Sequence, residues 1–496
     1  MAKPVRVQEP VALHAADIGL TPRRLVGMTL SVGLGLIFVL GMIGGIMKAA
    51  QGNLIQLQPG TFYALLTLHG AGMISTVVLL TAVALWYVLH DHLSLRPDML
   101  VFSVVAIVWG LVAATVAVLV GGFGPAWTFL YPLPFMGTWP SWSTGLFFFG
   151  VLFVGVGFAI FCFDLMAGII RTYGSIWNGL AWDTWIPRLR RPDGKVAPPS
   201  VIAASMVAID GLITVAAGSV LVVALLAHWF SPKFPIDPLW IKNLTFFFGH
   251  TIANLAIYVS AGVIYYILPK YTGRAFHTNK VYALSWAISL FFVPWAWPHH
   301  LYMDFVQAPW LQVGGEASTY IATIPATVVT IFGSLLLVYR SDMRWRPGST
   351  LFLAGILGWL VGGVAAMLDA TIPFNAVLHN TLWVPAHFHT YLLGGVFLFV
   401  LGFTSYFVGE RQTPGRLVKA IEWTFFTGLV GFLLMFYAGG IEGVPRREAV
   451  QPPPGPILAD IATGFVAILL VGLVAMLIEF WVRAKRNAAN GEAEGL

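Results

Sequence analysis

The chain has 496 residues, 58% of them hydrophobic and only 10% charged, with a net charge of +6 and a mean hydropathy of +0.82. Soluble domains carry about 25% charged residues, so this composition excludes a soluble globular enzyme, a nucleic-acid binder and a disordered chain. A single cysteine, Cys162, excludes an internal disulfide and any thiolate metal cluster built from this chain alone.

In chain order, residues 1–24 read as a cytoplasmic N-terminal segment ending in Arg23-Arg24. Apolar runs of about 20 residues, enough to cross a bilayer, follow at 25–48, 61–89, 98–120, 144–170, 200–228, 240–268, 279–298, 319–339, 350–371, 383–408, 419–438 and 457–482. The first run has no cleavage-type segment behind it and reads as a retained span. The spans form one all-α membrane domain over 25–484, with 485–496 as a cytoplasmic tail and 171–199 as the longest loop. An even number of spans puts both ends on one side. With that side inside, only Lys48, Lys233, Lys242, Arg446 and Arg447 of the 27 basic residues lie outside, so the positive-inside rule orients the chain with both termini cytoplasmic. The expected location is a bacterial or archaeal cytoplasmic membrane, in contact with lipid and with no nucleic-acid partner.

Twelve histidines are present. His14, His90, His92, His228 and His277 fall in loops or at span ends, and His379 just precedes the tenth span. The other six lie in spans or at their ends: His69 in the second, His250 in the sixth, His299 and His300 closing the seventh, and His387 and His389 in the tenth. Any one alone reads equally well as a packing histidine. At about 1.5 Å per residue, however, all six fall in the outer third of the membrane, where ionisable groups are costly and mark function. Imidazole is the commonest ligand of transition metals and haem iron, and a shared depth suggests a shared metal centre. His387 and His389 stand about 200° apart on a helix, so each is free to bind a different haem, with His69 available as the second axial ligand of one. The remaining three imidazoles form a site for copper, zinc or iron.

On these residues the chain resembles subunit I of the haem–copper oxidase superfamily. The matching segments are His69-Gly70-Ala71-Gly72-Met73, Gly249-His250, Pro298-His299-His300, Val384-Pro385-Ala386-His387-Phe388-His389 and Gly443-Val444-Pro445-Arg446-Arg447. The resemblance implies the twelve-helix fold of that subunit. It implies a low-spin haem on His69 and His389, a high-spin haem on His387, and a copper ion on His250, His299 and His300. It also implies that Arg446 and Arg447 pair with haem propionates. The stretch from Asn375 through His379 to Pro385 is most similar to the B-type branch, which would place Asn375 and His379 near propionates; the two haems are expected to be b-type.

One departure bears on the reaction. Oxygen-reducing members of the superfamily carry a tyrosine joined to a copper-ligating histidine, four residues after the sixth-span histidine or six before the paired histidines. Here those positions are Asn254 and Val293, and Tyr258 lies two turns from His250, about 12 Å along the axis. Cleaving dioxygen in one step takes four electrons, the last from that tyrosine. Coupling nitric oxide takes two: 2 NO + 2 H+ + 2 e− gives N2O and water. Asn254, one turn from His250, offers an amide that can hydrogen-bond bound NO. The chain is therefore similar to the divergent nitric oxide reductases with asparagine in this place, enzymes of respiratory electron transport and denitrification. A cytochrome c oxidase reducing O2 to water is the alternative. With no Asp or Glu on the sixth or seventh span near the three imidazoles, copper suits the site better than iron.

One cysteine cannot build a dinuclear copper centre, so electrons must reach the chain from elsewhere. The resemblance implies a small membrane-anchored cupredoxin-type subunit carrying CuA, fed by a cytochrome c or small copper protein, with a quinol donor also open. For protons, Thr319, Thr323, Thr327, Thr330 and Ser334 share one face of the eighth span, and Tyr282, Ser285 and Ser289 lie on the seventh. This hydroxyl stripe reads either as a proton route toward the metal layer or as a helix–helix packing surface.

Overall fold

A computed structural model describes residues 21–410 and 414–490. His14, Arg411, most of the N-terminal segment and the last six residues of the tail lie outside the described residues. Among the described residues twelve helices are long and apolar enough to cross a membrane: α1 (Pro22–Gln51), α2 (Pro59–Leu89), α3 (Pro97–Leu119), α4 (Ser141–Tyr173), α5 (Pro199–Phe230), α6 (Pro238–Thr272), α7 (Lys280–Leu301), α8 (Pro309–Val338), α9 (Pro347–Ala370), α10 (Trp383–Phe407), α11 (Arg416–Ile441) and α12 (Gly455–Ala489). Each coincides with an expected span. The largest difference is at α8, which starts at Pro309 where hydropathy placed it at 319. Gln312, Gly314, Gly315 and Glu316 lower the apolarity of its first turns without breaking the helix.

Local chemistry sets the helix starts. Seven of the twelve begin at a proline, whose fixed φ suits the first turn and whose missing N–H would have had no intrahelical partner there. Side chains also cap starts, α6 with its proline and α7 without one: Asp237 accepts from the Trp240 amide (2.9 Å) and Asn279 from that of Tyr282 (3.0 Å). After α4 and α6 the chain turns through Gly174 (φ 82°) and Gly273 (φ 67°), where a side chain would strain the backbone.

Consecutive helices pack on one another, and α12 returns to α1 to close the ring. Three helices lie inside it. The apolar stretches of α2 and α10 are 78% buried and that of α6 is 72% buried, against 28% for α3, which faces outward. These three inner helices touch one another and carry His69, His250, His387 and His389. Close approach of α9 to α10 requires glycine: a Cβ on Gly358 would lie 1.9 Å from the Gly394 carbonyl oxygen. We call the side where α1 begins the near face and the side where it ends the far face.

Three segments of these helices are irregular, and two of them lie at or beside the histidines. Residues Val293–Leu301 of α7 wind as a 3₁₀ helix containing Pro294 and Pro298, prolines that cannot donate to a regular α-ladder. Val328–Phe332 in α8 and Leu392–Val396 in α10 are π turns, the latter three residues after His389. Such turns are frequent at functional sites.

Candidate metal and haem site

One cavity of about 570 Å³ runs through the bundle and is lined by all six of the span histidines, a volume in the range of cofactor sites.

His69 and His389 face each other across it. Their rings are nearly parallel (18°), with centroids 6.2 Å apart. Two metal–imidazole bonds of about 2 Å, plus the radii of two rings, span that separation. Each Nδ1 is held by a backbone carbonyl, Leu40 at 2.8 Å for His69 and Pro385 at 2.7 Å for His389. The tautomer is thereby set with Nε2 free to ligate. Space for His69 depends on Gly44, where a Cβ would stand 2.8 Å from the ring. Phe436 stacks on His389 (5.2 Å, 20°). The pair fits a six-coordinate haem iron.

His250, His299 and His300 form the second group, with ligand atoms all within 4.8 Å of one another. The 3₁₀ winding sets the last two rings 4.1 Å apart at 52°, both turned to α6. His250 presents Nδ1 to His300 Nε2 at 3.3 Å. His299 Nδ1 lies 2.9 Å from the Thr319 hydroxyl, which itself donates to the Gly315 carbonyl and so accepts from the imidazole. Three converging imidazoles with no carboxylate in the cluster fit a copper ion. Asn254 lines the same cavity. Its amide nitrogen donates to the His250 carbonyl (2.9 Å) and sits 3.3 Å from His250 Nε2, the ring nitrogen turned away from His300. One of its two N–H groups is therefore used within the helix, where the sequence suggested that the amide was free for a ligand. Val293 is buried, and Tyr258 packs edge-on against Trp286 at 5.6 Å.

His387 and His389 point to different sides of α10. His387 Nε2 lies 3.6 Å from Asp369 at the end of α9, and its Nδ1 is buried without a partner, an orphaned ring nitrogen that a bound group would explain. Asn375 donates to the Asp369 carbonyl at 2.6 Å, and its own Oδ1 is also unpartnered. The far-face loop carrying Arg446 and Arg447 is tied to this segment by backbone bonds from Arg446 to Asn380 and from Leu382 to Val444, both 2.8 Å. Arg447 adopts a left-handed backbone (φ 65°), which costs about 1–3 kcal/mol and is characteristic of ligand clamps. Burial and the neighbouring Arg447 push the Arg446 guanidinium down to about 9. Burial, with both arginines adding, pushes His379 down to about 4. Among the described residues Asp369 is the carboxylate that acts on Arg446, so the two half-buried guanidiniums are suited to receiving further anionic groups.

The hydroxyl stripe divides. Thr319, Thr323, Thr327 and Thr330 line the cavity. Tyr282, Ser285 and Ser289 do not: Ser289 donates to the Ala322 carbonyl (2.7 Å), joining α7 to α8, and Tyr282 packs on Tyr265 (5.3 Å). Tyr265, which the sequence reading passed over, bonds Thr330 at 2.5 Å. It lies fifteen residues after His250 on the same helical face, a spacing that could have found it. Asp369 was also missed, although a carboxylate inside an apolar run is itself a signal.

A family model described as Cytochrome C and Quinol oxidase polypeptide I matches residues 24–482. Cytochrome c oxidase polypeptide 1 of Halobacterium salinarum is 28% identical over 288 residues, 56% of this chain and 46% of that protein, so the match spans about half of that relative. Cytochrome c oxidase subunit 1 of Thermus thermophilus is 25% identical over 458 residues, 84% of this chain and 75% of that one. A probable quinol oxidase subunit 1 of Staphylococcus epidermidis is 24% identical over 502 residues, 95% of this chain and 72% of that one. Among solved structures, a heme-copper terminal oxidase dimer superposes with a TM-score of 0.75 at 21% identity, covering 94% of this chain and 84% of that one. At that identity the likeness carries the fold.

Proposed function

The chain belongs to the cytochrome c and quinol oxidase polypeptide I family, and on that premise we propose that it is the catalytic subunit of a membrane nitric oxide reductase, converting 2 NO, two protons and two electrons into N2O and water. The observation that carries this reading is Asn254, whose amide stands 3.3 Å from His250 Nε2. A phenol there can give up an electron and a proton together; an amide can only hydrogen-bond. A four-electron cleavage of dioxygen lacks its last electron at such a site, and a two-electron coupling of NO does not need it.

His69 and His389 would hold a low-spin haem, His387 a high-spin haem, both b-type, and His250, His299 and His300 a copper ion. When bound, these groups supply the two electrons and the open coordination positions. The chain's own residues orient and protonate. Asn254 and Thr319 fix the His250 and His299 rings by hydrogen bonds. Arg446 and Arg447, with His379 and Asn375, receive the haem carboxylates. Thr323, Thr327 and Thr330, reached through Tyr265 and the Tyr282, Ser285 and Ser289 face of α7, line a path for the protons from the near face. The near face carries most of the basic residues and is the cytoplasmic side of a bacterial or archaeal membrane. Electrons come through a small membrane-anchored cupredoxin-type subunit with CuA, from a cytochrome c or small copper protein or from quinol.

A second reading, reduction of O2 to water, is favoured by the names of the relatives, which are cytochrome c and quinol oxidases. Purified enzyme with an artificial reductant separates the two. The expected result is N2O, one molecule per two NO consumed, detected by gas chromatography. Rapid sustained oxygen uptake with no N2O would replace the first reading with the second.

A further inference from the structure

We propose that Asp210 of α5 is an internal proton donor to the cavity, acting through the Tyr258 phenol. The inference rests on the reading of the cavity as the place where a gas is reduced. It applies to O2 as to NO, because both reductions consume protons there.

Asp210 lies about a third of the way along α5. It is 0% exposed, and neither carboxyl oxygen has a hydrogen-bond partner among the described residues. Asp164 of α4 shows what a structural acid looks like in this bundle: it accepts from the Trp86 indole (3.1 Å) and the Arg96 amide (3.2 Å). Asp210 has no such employment, and an ionisable group inside a span is costly and marks function. Without a partner its ionised form would cost most, so the carboxyl is neutral and holds a proton.

Helix register says where that proton can go. Gly218 of α5 faces Phe248, and Gly262 of α6 faces Ala203, which fixes the antiparallel pairing of the two helices. Asp210, one heptad from Ala203, is on the same side of α5 and level with Asn254 and Leu255. That is about 8 Å nearer the near face than His250. The Asp210 carboxyl acts electrostatically on the Tyr258 phenol. Tyr258 lines the cavity, and it is the first titratable side chain after His250 on α6, since Asn254 can only hydrogen-bond. It therefore stands between the carboxyl and the space where protons are used.

Tyr258 also faces the supply side. It shares one side of α6 with Tyr265, a heptad further on, and both rings meet Trp286 edge-on, at 5.6 and 6.1 Å. Tyr265 bonds Thr330, which lines the cavity. The proton steps balance without moving an electron. Tyr258 passes its hydroxyl proton into the cavity and takes the one on Asp210, leaving a carboxylate. A proton entering from the near face past Thr330 and Tyr265 restores the carboxyl through Tyr258 by the reverse exchange. Asp210 thus keeps one proton in store beside the site.

The test is redox difference infrared spectroscopy of the purified holoenzyme in H2O and D2O, with turnover measured on whichever of NO and O2 the parent reduces. The parent is expected to show the C=O stretch of a protonated carboxyl, shifted in D2O and absent from Asp210→Asn. Turnover of Asp210→Asn should fall about 100-fold, the scale of a lost proton donor, with the haem spectra unchanged. A parent without such a band, or an Asp210→Asn enzyme that keeps the band or the parental rate, overturns the inference. Should Asp210→Asn fail to assemble, Asp210→Glu decides: a displaced band assigns it to this residue, and an unmoved band overturns the assignment. A parent that takes up O2 and forms no N2O overturns the nitric oxide reading alone, and Asp210 is then judged on the oxygen rate. A parent that reduces neither gas overturns both.

Discussion

Asn254 reaches both the carbonyl and the Nε2 of His250, one turn away on α6. Truncating it to alanine leaves His250 Nε2 without that neighbour and loosens the ring that faces His300. Partners of metal-bound imidazoles typically contribute about 10–100-fold to activity or metal affinity. An Asn254→Ala enzyme should therefore make N2O at a rate reduced by about that factor, with the low-spin haem spectrum unchanged because His69 and His389 lie outside the perturbed contact. Undiminished turnover would assign Asn254 to packing alone. The imidazoles themselves were legible in the sequence because ionisable groups within apolar runs stand out against their background. Thr319 as the partner of His299 and Asp369 beside His387 were not. Each depends on which side chain of another helix lies opposite, and spacing along one helix carries no such information.

At the scale of the helices, hydropathy sufficed to find all twelve spans, since bilayer thickness sets a length that few other segments meet. Their winding was less legible. The 3₁₀ end of α7 has a local cause in Pro294 and Pro298 that could have been read, and Pro325 stands three residues before the π turn of α8, but the π turn of α10 contains no proline. Packing of α1 against α2 makes a sharper demand. Gly44 faces His69, and even a methyl group there would fall 2.8 Å from the ring. The ring is pinned by Leu40, one turn from Gly44 on the same helix, so it has little freedom to retreat. A Gly44→Val substitution should displace His69 and remove the low-spin haem band from the reduced-minus-oxidised spectrum. Carbon monoxide binding at the His387 haem should persist, because that ligand comes from α10 and faces the other way. Loss of both haem signals together would mean that the substitution unfolds the bundle and does not act on His69.

Three of the twelve helices found among the described residues lie inside the bundle and carry four of the six span histidines, with the histidine layer displaced toward one face. That asymmetry gives orientation functional weight, because it decides from which side electrons and protons approach. In the proposed orientation the far face is outside: of the 27 basic residues only five, Lys48, Lys233, Lys242, Arg446 and Arg447, belong to it. Three of the five, Lys48, Arg446 and Arg447, line the central cavity, so the bias in the surface-exposed loops is stronger still. The native thiol makes a direct measurement clean: Cys162 is the one cysteine and is fully buried. A cysteine introduced at Leu54, which is 59% exposed on the far face, should react with a membrane-impermeant maleimide on intact cells. One introduced at Pro192, exposed in the near-face loop between α4 and α5, should react only after permeabilisation. The reverse pattern would put the metal layer against the cytoplasm, and with it the donor that feeds His69 and His389.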